Sequence, residues 1–221
     1  TVLLKKLLQD KEIDGVVHAK SVRENGYKPL GICAISTTES EIDEGRGSFY
    51  GPIEFSRVLN RINEDDSIQN VAVVCLPCVA NSICNLKKIQ KNKGRKIKYV
   101  FALMCGHNAN GRHGLMMLDD YPKSPNRMLN MREKEELNMR DSYNISVSYE
   151  NGDKVIKPIT SRFKKLWRGF LNAEKQCEHC VDFSGSVADA SFKDAWNFKP
   201  IKYVEGESVV VVRNKDINDK L

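Results

Sequence analysis

Apolar residues open the chain as Val2, Leu3, Leu4, Leu7 and Leu8, with Lys5 and Lys6 between them, a spacing that predicts an amphipathic helix over residues 1–10. Apolar runs at 13–19 and 30–35 predict strands, separated by the turn-prone Glu24-Asn25-Gly26. The passage from Gly45 to Pro52 carries Gly45, Gly47 and Gly51, and leads into a helix predicted over 53–63 with Ile53, Val58, Leu59 and Ile62 on one face. Residues 71–74 form a wholly apolar strand that runs through Cys75-Leu76-Pro77-Cys78 into a helix ending near residue 90. A second apolar strand, 97–104, ends at Cys105-Gly106-His107.

Unbroken apolar strands that alternate with helices need crossover connections and cover on both faces. The expected fold is therefore α/β: a mixed, mainly parallel sheet flanked by helices, with a C-terminal hairpin and a Cys-rich segment. Residues 145–149 and 154–156, joined by Asn151-Gly152, predict the hairpin; a helix over 159–171 and a strand over 209–212 follow. Ahead of the hairpin, from Asn108 to Met139, the pattern weakens into a polar stretch rich in Met and Arg. The expected organisation is one domain over 1–221, divided into a strand-helix core (1–107), an insertion, lid or contact between subunits (108–140), and a hairpin, helix and CxxC segment (141–221). Thr1 has neither a Met nor a capping residue ahead of it, so the full protein is expected to begin upstream.

Composition narrows the class. At 221 residues and 41% hydrophobic, the chain can bury a core of ordinary size. The formal charge of +6 is spread through Lys87-Lys88, Lys91 to Lys98 and Lys164-Lys165, which suits solvated loops better than a nucleic-acid surface. No apolar run approaches the ~20 residues of a membrane span. Seven cysteines, an odd number lying in or beside apolar runs, argue against a disulfide framework and for a reducing, cytoplasmic setting with metal or redox chemistry.

Thiolate sulfur is a soft ligand for zinc or iron-sulfur clusters, and two intervening residues let a Cys pair reach one metal group. Cys177-Glu178-His179-Cys180 has that spacing. In sheets of this kind ligands bind beyond the carboxyl ends of the strands, where Cys78 and Cys105 fall. Cys33, Cys75 and Cys84 suit packing, although strand, Cys75-Leu76-Pro77-Cys78 and helix also match the layout of a thioredoxin-like dithiol. The remaining four thiols, Cys78, Cys105, Cys177 and Cys180, are dispersed over about a hundred residues, which suits a cofactor built into an enzyme core. A zinc-stapled, non-catalytic protein that meets an acidic partner through its basic loops is the alternative. His107 and His179 stand beside these cysteines and could donate to sulfur or relay protons, or be ordinary loop residues. Trp167 and Trp196 suit core packing or a contact between subunits.

In order along the chain, the opening helix with Ile13-Asp14-Gly15-Val16-Val17, Gly47-Ser48-Phe49-Tyr50, and Val71 to Cys78 make a recognisable series. Cys105-Gly106, Cys177-x-x-Cys180-x-Asp182-Phe183, Ala188-Asp189-Ala190-Ser191 through Asp194-Ala195-Trp196, and Gly206 to Arg213 continue it. Together they resemble the beta-subunit family of coenzyme F420 hydrogenases and dehydrogenases over nearly the whole chain. The resemblance implies an oxidoreductase carrying FAD and a 4Fe-4S cluster, with a deazaflavin or other small electron carrier on one side. On the other side it implies a redox partner subunit, or a second copy of the chain. The family also includes a plant chlorophyll-derivative reductase and bacterial members near polysaccharide genes, so no substrate and no catalytic residue follow from it. It implies flavin or neighbouring roles for Asp189 and Asp194; Gly47, Ser48 and Tyr50 are the expected flavin contacts, in a segment whose small residues would let backbone amides approach and which otherwise reads as a Gly-rich turn before a helix. Three departures stand out. The family's Ser-Gly-Gly stretch and ferredoxin-like cysteines would precede Thr1, Lys193 replaces a common Gly, and Cys75 replaces a small residue.

Overall fold

The computed structural model describes residues 1–22, 30–110, 116–124, 127–133, 144–158, 161–195 and 208–221. In chain order the first half builds α1 (Val2–Gln9), β1 (Gly15–Val22), β2 (Leu30–Ser36), α2 (Glu39–Glu44), α3 (Ser56–Glu64), β3 (Val71–Cys75), α4 (Pro77–Ile89), α5 (Lys91–Gly94) and β4 (Ile97–Leu103). The second half builds β5 (Met128–Glu133), β6 (Asn144–Ser148), β7 (Lys154–Pro158), α6 (Ser161–Arg168), a 3₁₀ turn (Lys175–His179), β8 (Ala190–Asp194), β9 (Ser208–Val212) and α7 (Lys215–Asn218). Among the described residues no helix is long and apolar enough to cross a membrane.

The larger sheet has the order β2-β1-β3-β4-β8-β9. Its four inner strands are parallel, and β2 and β9 close the two edges antiparallel. The expected mixed, mainly parallel α/β fold is therefore the observed one. Side chains alternate between the faces as strand geometry requires. Val71, Val73 and Cys75 pack with Leu59, Ile62, Ala80 and Ile83 of α3 and α4. Ala72 faces the opposite side, where Leu3 and Leu7 of α1 and Ile217 of α7 complete a second layer.

One irregularity shifts this alternation. Val71 pairs with Ile97 but Ala72 pairs with Tyr99, so Lys98 is an extra residue in β4. Ile97 consequently joins the α3 and α4 layer while Tyr99 joins the α1 layer. Lys98 itself reaches the side-chain carboxylate and backbone carbonyl of Glu12, which also accepts from Lys220 at 2.9 Å. Three distant parts of the chain are thereby clasped at one end of the sheet.

The smaller sheet, β5-β6-β7, is antiparallel. β6 and β7 are the predicted hairpin, turning at Asn151-Gly152 with Gly152 at a φ of 91°. Leu129, Ile145, Val147 and Tyr149 form its core with Met117, Leu118, Tyr121 and Leu166. Several elements were not expected from the pattern, the short α5, the 3₁₀ turn and α7 among them. β5 lies inside the stretch expected as an insertion or lid, β8 lies inside the Ala188 to Asp194 motif, and α2 begins with a capping box between Thr38 and Glu41. The turn at 24–26 and Trp196 lie outside the described residues.

The Glu12 clasp carries a pH signature. Hydrogen bonds from Lys98 and then Lys220 hold its carboxyl down to about 2, from an ordinary value near 4.5. A depressed carboxyl contributes stability that is fully present above its unfolded value and is lost as pH falls through the folded one. Glu12→Gln should thus lower the Tm at neutral pH, and the deficit should shrink between pH 4.5 and 2. Thermal melts across that window check it; a deficit unchanged at the acid end would mean that the clasp is not electrostatic.

Candidate functional site

All four ligand-candidate thiols gather beyond the carboxyl ends of β3 and β4. Cys78 is exposed in the first turn of α4, directly after Pro77 supplies the first helical position. Burial pushes its thiol up, opposed by a bond from the Val79 N–H, and both Cys180 and Cys177 are near enough to add to the rise. Cys105 lies two residues past the end of β4. Its thiol is pushed up to about 11, first by burial and then by Cys177, Cys78 and Cys180. Cys177 is half-buried on the 3₁₀ turn, and Cys180 is exposed just after it.

Backbone bonds dictate this gathering. Past β4, the Met104 N–H donates to the Phe192 carbonyl at 2.9 Å and the Cys105 N–H to that of Phe183 at 3.0 Å. A short ladder follows, in which Asn110 donates to Asn172 at 2.7 Å and Glu174 donates to Asn108 at 3.0 Å. Phe170 and Asn172 take left-handed conformations, with φ of 56° and 66°, to turn the chain from α6 into that ladder. After Cys180, Asp182 ties down the next loop. Its carboxylate accepts from the N–H groups of Gly185 at 2.8 Å, Ser184 at 3.2 Å and Ser186 at 3.1 Å. Gly185 has a φ of 65° and sits so close to β4 that an added Cβ would lie 2.3 Å from that of Ala102.

The Gly-rich segment is brought against the same group. Gly47 has a φ of 129°, a conformation that only glycine adopts without strain. Phe49 anchors the segment on β2, since a Cβ at Gly31 would lie 2.6 Å from its ring. Asn108 then bridges: its side-chain amide donates to the Gly51 carbonyl at 3.0 Å and its backbone N–H to Cys177 Sγ at 3.4 Å. Beside it, the ring of His107 stacks on Trp167 at 3.9 Å and on Phe170 at 4.3 Å. Trp167 in turn meets the edge of Tyr50 at 4.7 Å.

Other anticipated residues take different places. The Asp189 carboxylate accepts from the Val100 N–H and the Asn214 amide, both at 2.7 Å, bonds that hold the start of β8 against β4 and against the start of α7. Asp194 ends β8 opposite Ser208, and Ser48 is half-buried in the Gly-rich segment. His179 closes the 3₁₀ turn between the paired cysteines. Cys33 and Cys84 pack against the α3 and α4 layer as expected. Cys75 is only 3% exposed and burial drives its thiol far above the ordinary range, the reverse of what an attacking dithiol needs. All seven cysteines are free thiols. Among the described residues, no three His, Cys, Asp or Glu side chains converge on a single-ion site. Neither Asn108 nor the clamping role of Asp182 was anticipated; the run Asp182-Phe183-Ser184-Gly185-Ser186, an acid ahead of small turn residues, is the signal that could have revealed the latter.

Residues 68–221 match the family described as the C terminus of the coenzyme F420 hydrogenase/dehydrogenase beta subunit, and residues 1–60 match its N-terminal counterpart. The chain belongs to this family. It is thus a member of an oxidoreductase family of the F420 beta-subunit type. Among solved structures, a chain of the xenon-derivatised F420-reducing NiFe hydrogenase complex from Methanosarcina barkeri is similar, with a TM-score of 0.69 and 17% identity over 99% of this chain and 68% of that one. At that identity the likeness is one of fold. No curated protein matches the chain.

Two outcomes follow for this family member. Asp182→Ala should cost about 1–3 kcal/mol in urea unfolding, because several N–H groups lose a charged acceptor, and Asp182→Asn should recover part of the loss. In cofactor-free protein, iodoacetamide should modify exposed Cys180 ahead of Cys105, and Cys75 last. Peptide mass spectrometry reads the order, and early labelling of Cys75 would contradict the burial argument.

Proposed function

We propose that this chain is a flavin- and iron-sulfur-dependent oxidoreductase subunit that moves electrons between a hydride-carrying coenzyme such as F420 and a redox partner. The observation that carries this reading is the meeting of four thiols from three separate segments, with a Gly-rich segment joined to the same group through Asn108. Bound there, FAD would supply hydride acceptance with stepwise electron release, and a 4Fe-4S cluster would supply single-electron transfer.

The donor set fits a cluster. Each thiolate in a cubane binds its own iron, so the sulfurs surround the group rather than converge on one point. A structural zinc, by contrast, needs its thiolates about 2.3 Å from a single centre. Cys78, Cys105, Cys177 and Cys180 would hold the cluster, and the Asn108 N–H would donate to the Cys177 sulfur, a contact of the kind that tunes cluster potential. Gly47, Ser48 and Tyr50 would contact the flavin, where the glycine lets backbone amides approach it closely. Asp194 would act from the end of β8 and Asp189 from just ahead of it, by fixing that strand against β4. The similar solved structure is of a hydrogenase complex, which supports a partner subunit as the electron acceptor or donor.

The test is anaerobic purification of the full-length protein. It should be brown-yellow, with about four iron and four sulfide per cluster and releasable flavin. Cys177→Ser and Cys105→Ser should lose most of the iron, whereas Cys33→Ser should keep it. Zinc without iron, or loss of activity on replacing Cys75 but not Cys78, would overturn the reading.

A further inference from the structure

We infer that Asn108 is a positioning residue that couples the two sites, so that filling the cysteine site strengthens flavin binding at the Gly-rich segment and the reverse. The inference rests on the proposed function for what each site holds. Asn108 makes four bonds that reach two different regions, one of them a long 3.9 Å bond that its carbonyl accepts from the Cys177 thiol and that ligation of Cys177 would remove. Its N–H donates to Cys177 Sγ and its carbonyl accepts from Glu174, both on the cysteine side, while its side-chain amide donates to Gly51 on the flavin side. His107 duplicates the connection with rings, through Trp167 to Tyr50. A polar bridge and an aromatic bridge therefore leave one dipeptide and end on the same Gly-rich segment.

The physical consequence runs in both directions. A ligating thiolate accepts a stronger, charge-assisted bond than a thiol does, so ligation at Cys177 would tighten the Asn108 backbone. A fixed Asn108 holds the Gly51 carbonyl in place. Gly47 and Gly51 give their segment more backbone freedom than any other residue type would, and ordering that segment beforehand removes a cost that flavin binding otherwise bears. Linkage then requires the flavin to strengthen binding at the cysteine site by the same factor.

The experiment titrates FAD, by flavin fluorescence under anaerobic conditions, into full-length protein stripped of iron by chelation and into the same protein reconstituted with iron and sulfide. Wild type should bind FAD about 5- to 150-fold more tightly in the reconstituted form. Asn108→Asp, which keeps the side-chain volume but removes the donor to Gly51, should bring that ratio below about threefold while iron content stays at the wild-type level. Trp167→Leu should reduce the ratio through the aromatic bridge, which provides a second readout if the first variant folds poorly. A wild-type ratio of one, an unchanged ratio in folded Asn108→Asp, or, where that variant folds poorly, an unchanged ratio in Trp167→Leu would sink the inference and leave the proposed function intact. Absence of FAD binding or of iron in wild type would instead sink the proposed function, and the coupling with it.

Discussion

Each amide leaving a strand end must find a new partner, and the way β4 meets that requirement arranges the rest of the site. Past Leu103, Met104 and Cys105 turn to the carbonyls of Phe192 and Phe183, and the next residues pair with 172–174. Those bonds lay the C-terminal segment along the exit of β4. Cys177 and Cys180 come near Cys105 because of them, and the rings of Trp167 and Phe170 come to cover His107. The Asp182 loop clamp serves the same end, since the Phe183 carbonyl that receives the Cys105 N–H is fixed by it.

Packing against the α3 and α4 layer sorts the thiols into two groups. Cys75 is the last residue of β3 and faces the packed α3 and α4 layer; three residues on, Cys78 is at the surface. Burial drives the Cys33 thiol up to about 12 and raises that of Cys84, so these behave as small apolar side chains. The outer thiols face one another instead. A dithiol built from Cys75 and Cys78 would have to draw on both groups, which explains why the Cys-x-Pro-Cys spacing misleads when read without its strand.

The inner strands β3 and β4 were legible because each is a nearly continuous apolar run, the mark of burial on both faces. β8 is equally central but reads Ala190-Ser191-Phe192-Lys193-Asp194. Its buried Ser191 is satisfied by donating to Gly185 and accepting from Arg213, so polarity there reflects local bonding and not exposure. β5, Met128 to Glu133, lacks β-branched residues and owes its strand form to pairing with β6. In the site, cysteines at strand ends could be singled out by chemistry and position. Asn108 could not, because an asparagine in a loop declares nothing until the segments it joins are seen to be adjacent.

The ladder beside β4 also sets an order in time. Asn108 and Cys177 are 69 residues apart in the chain, although a single bond joins them in the fold. At roughly 5–20 residues per second of synthesis, Cys78 and Cys105 wait several seconds on a nascent chain before their counterparts are made. Through that interval the parallel core can assemble around β3 and β4 while two thiols stand without the segment that completes their site. The four thiols can therefore come together only once residues 172–180 have been made.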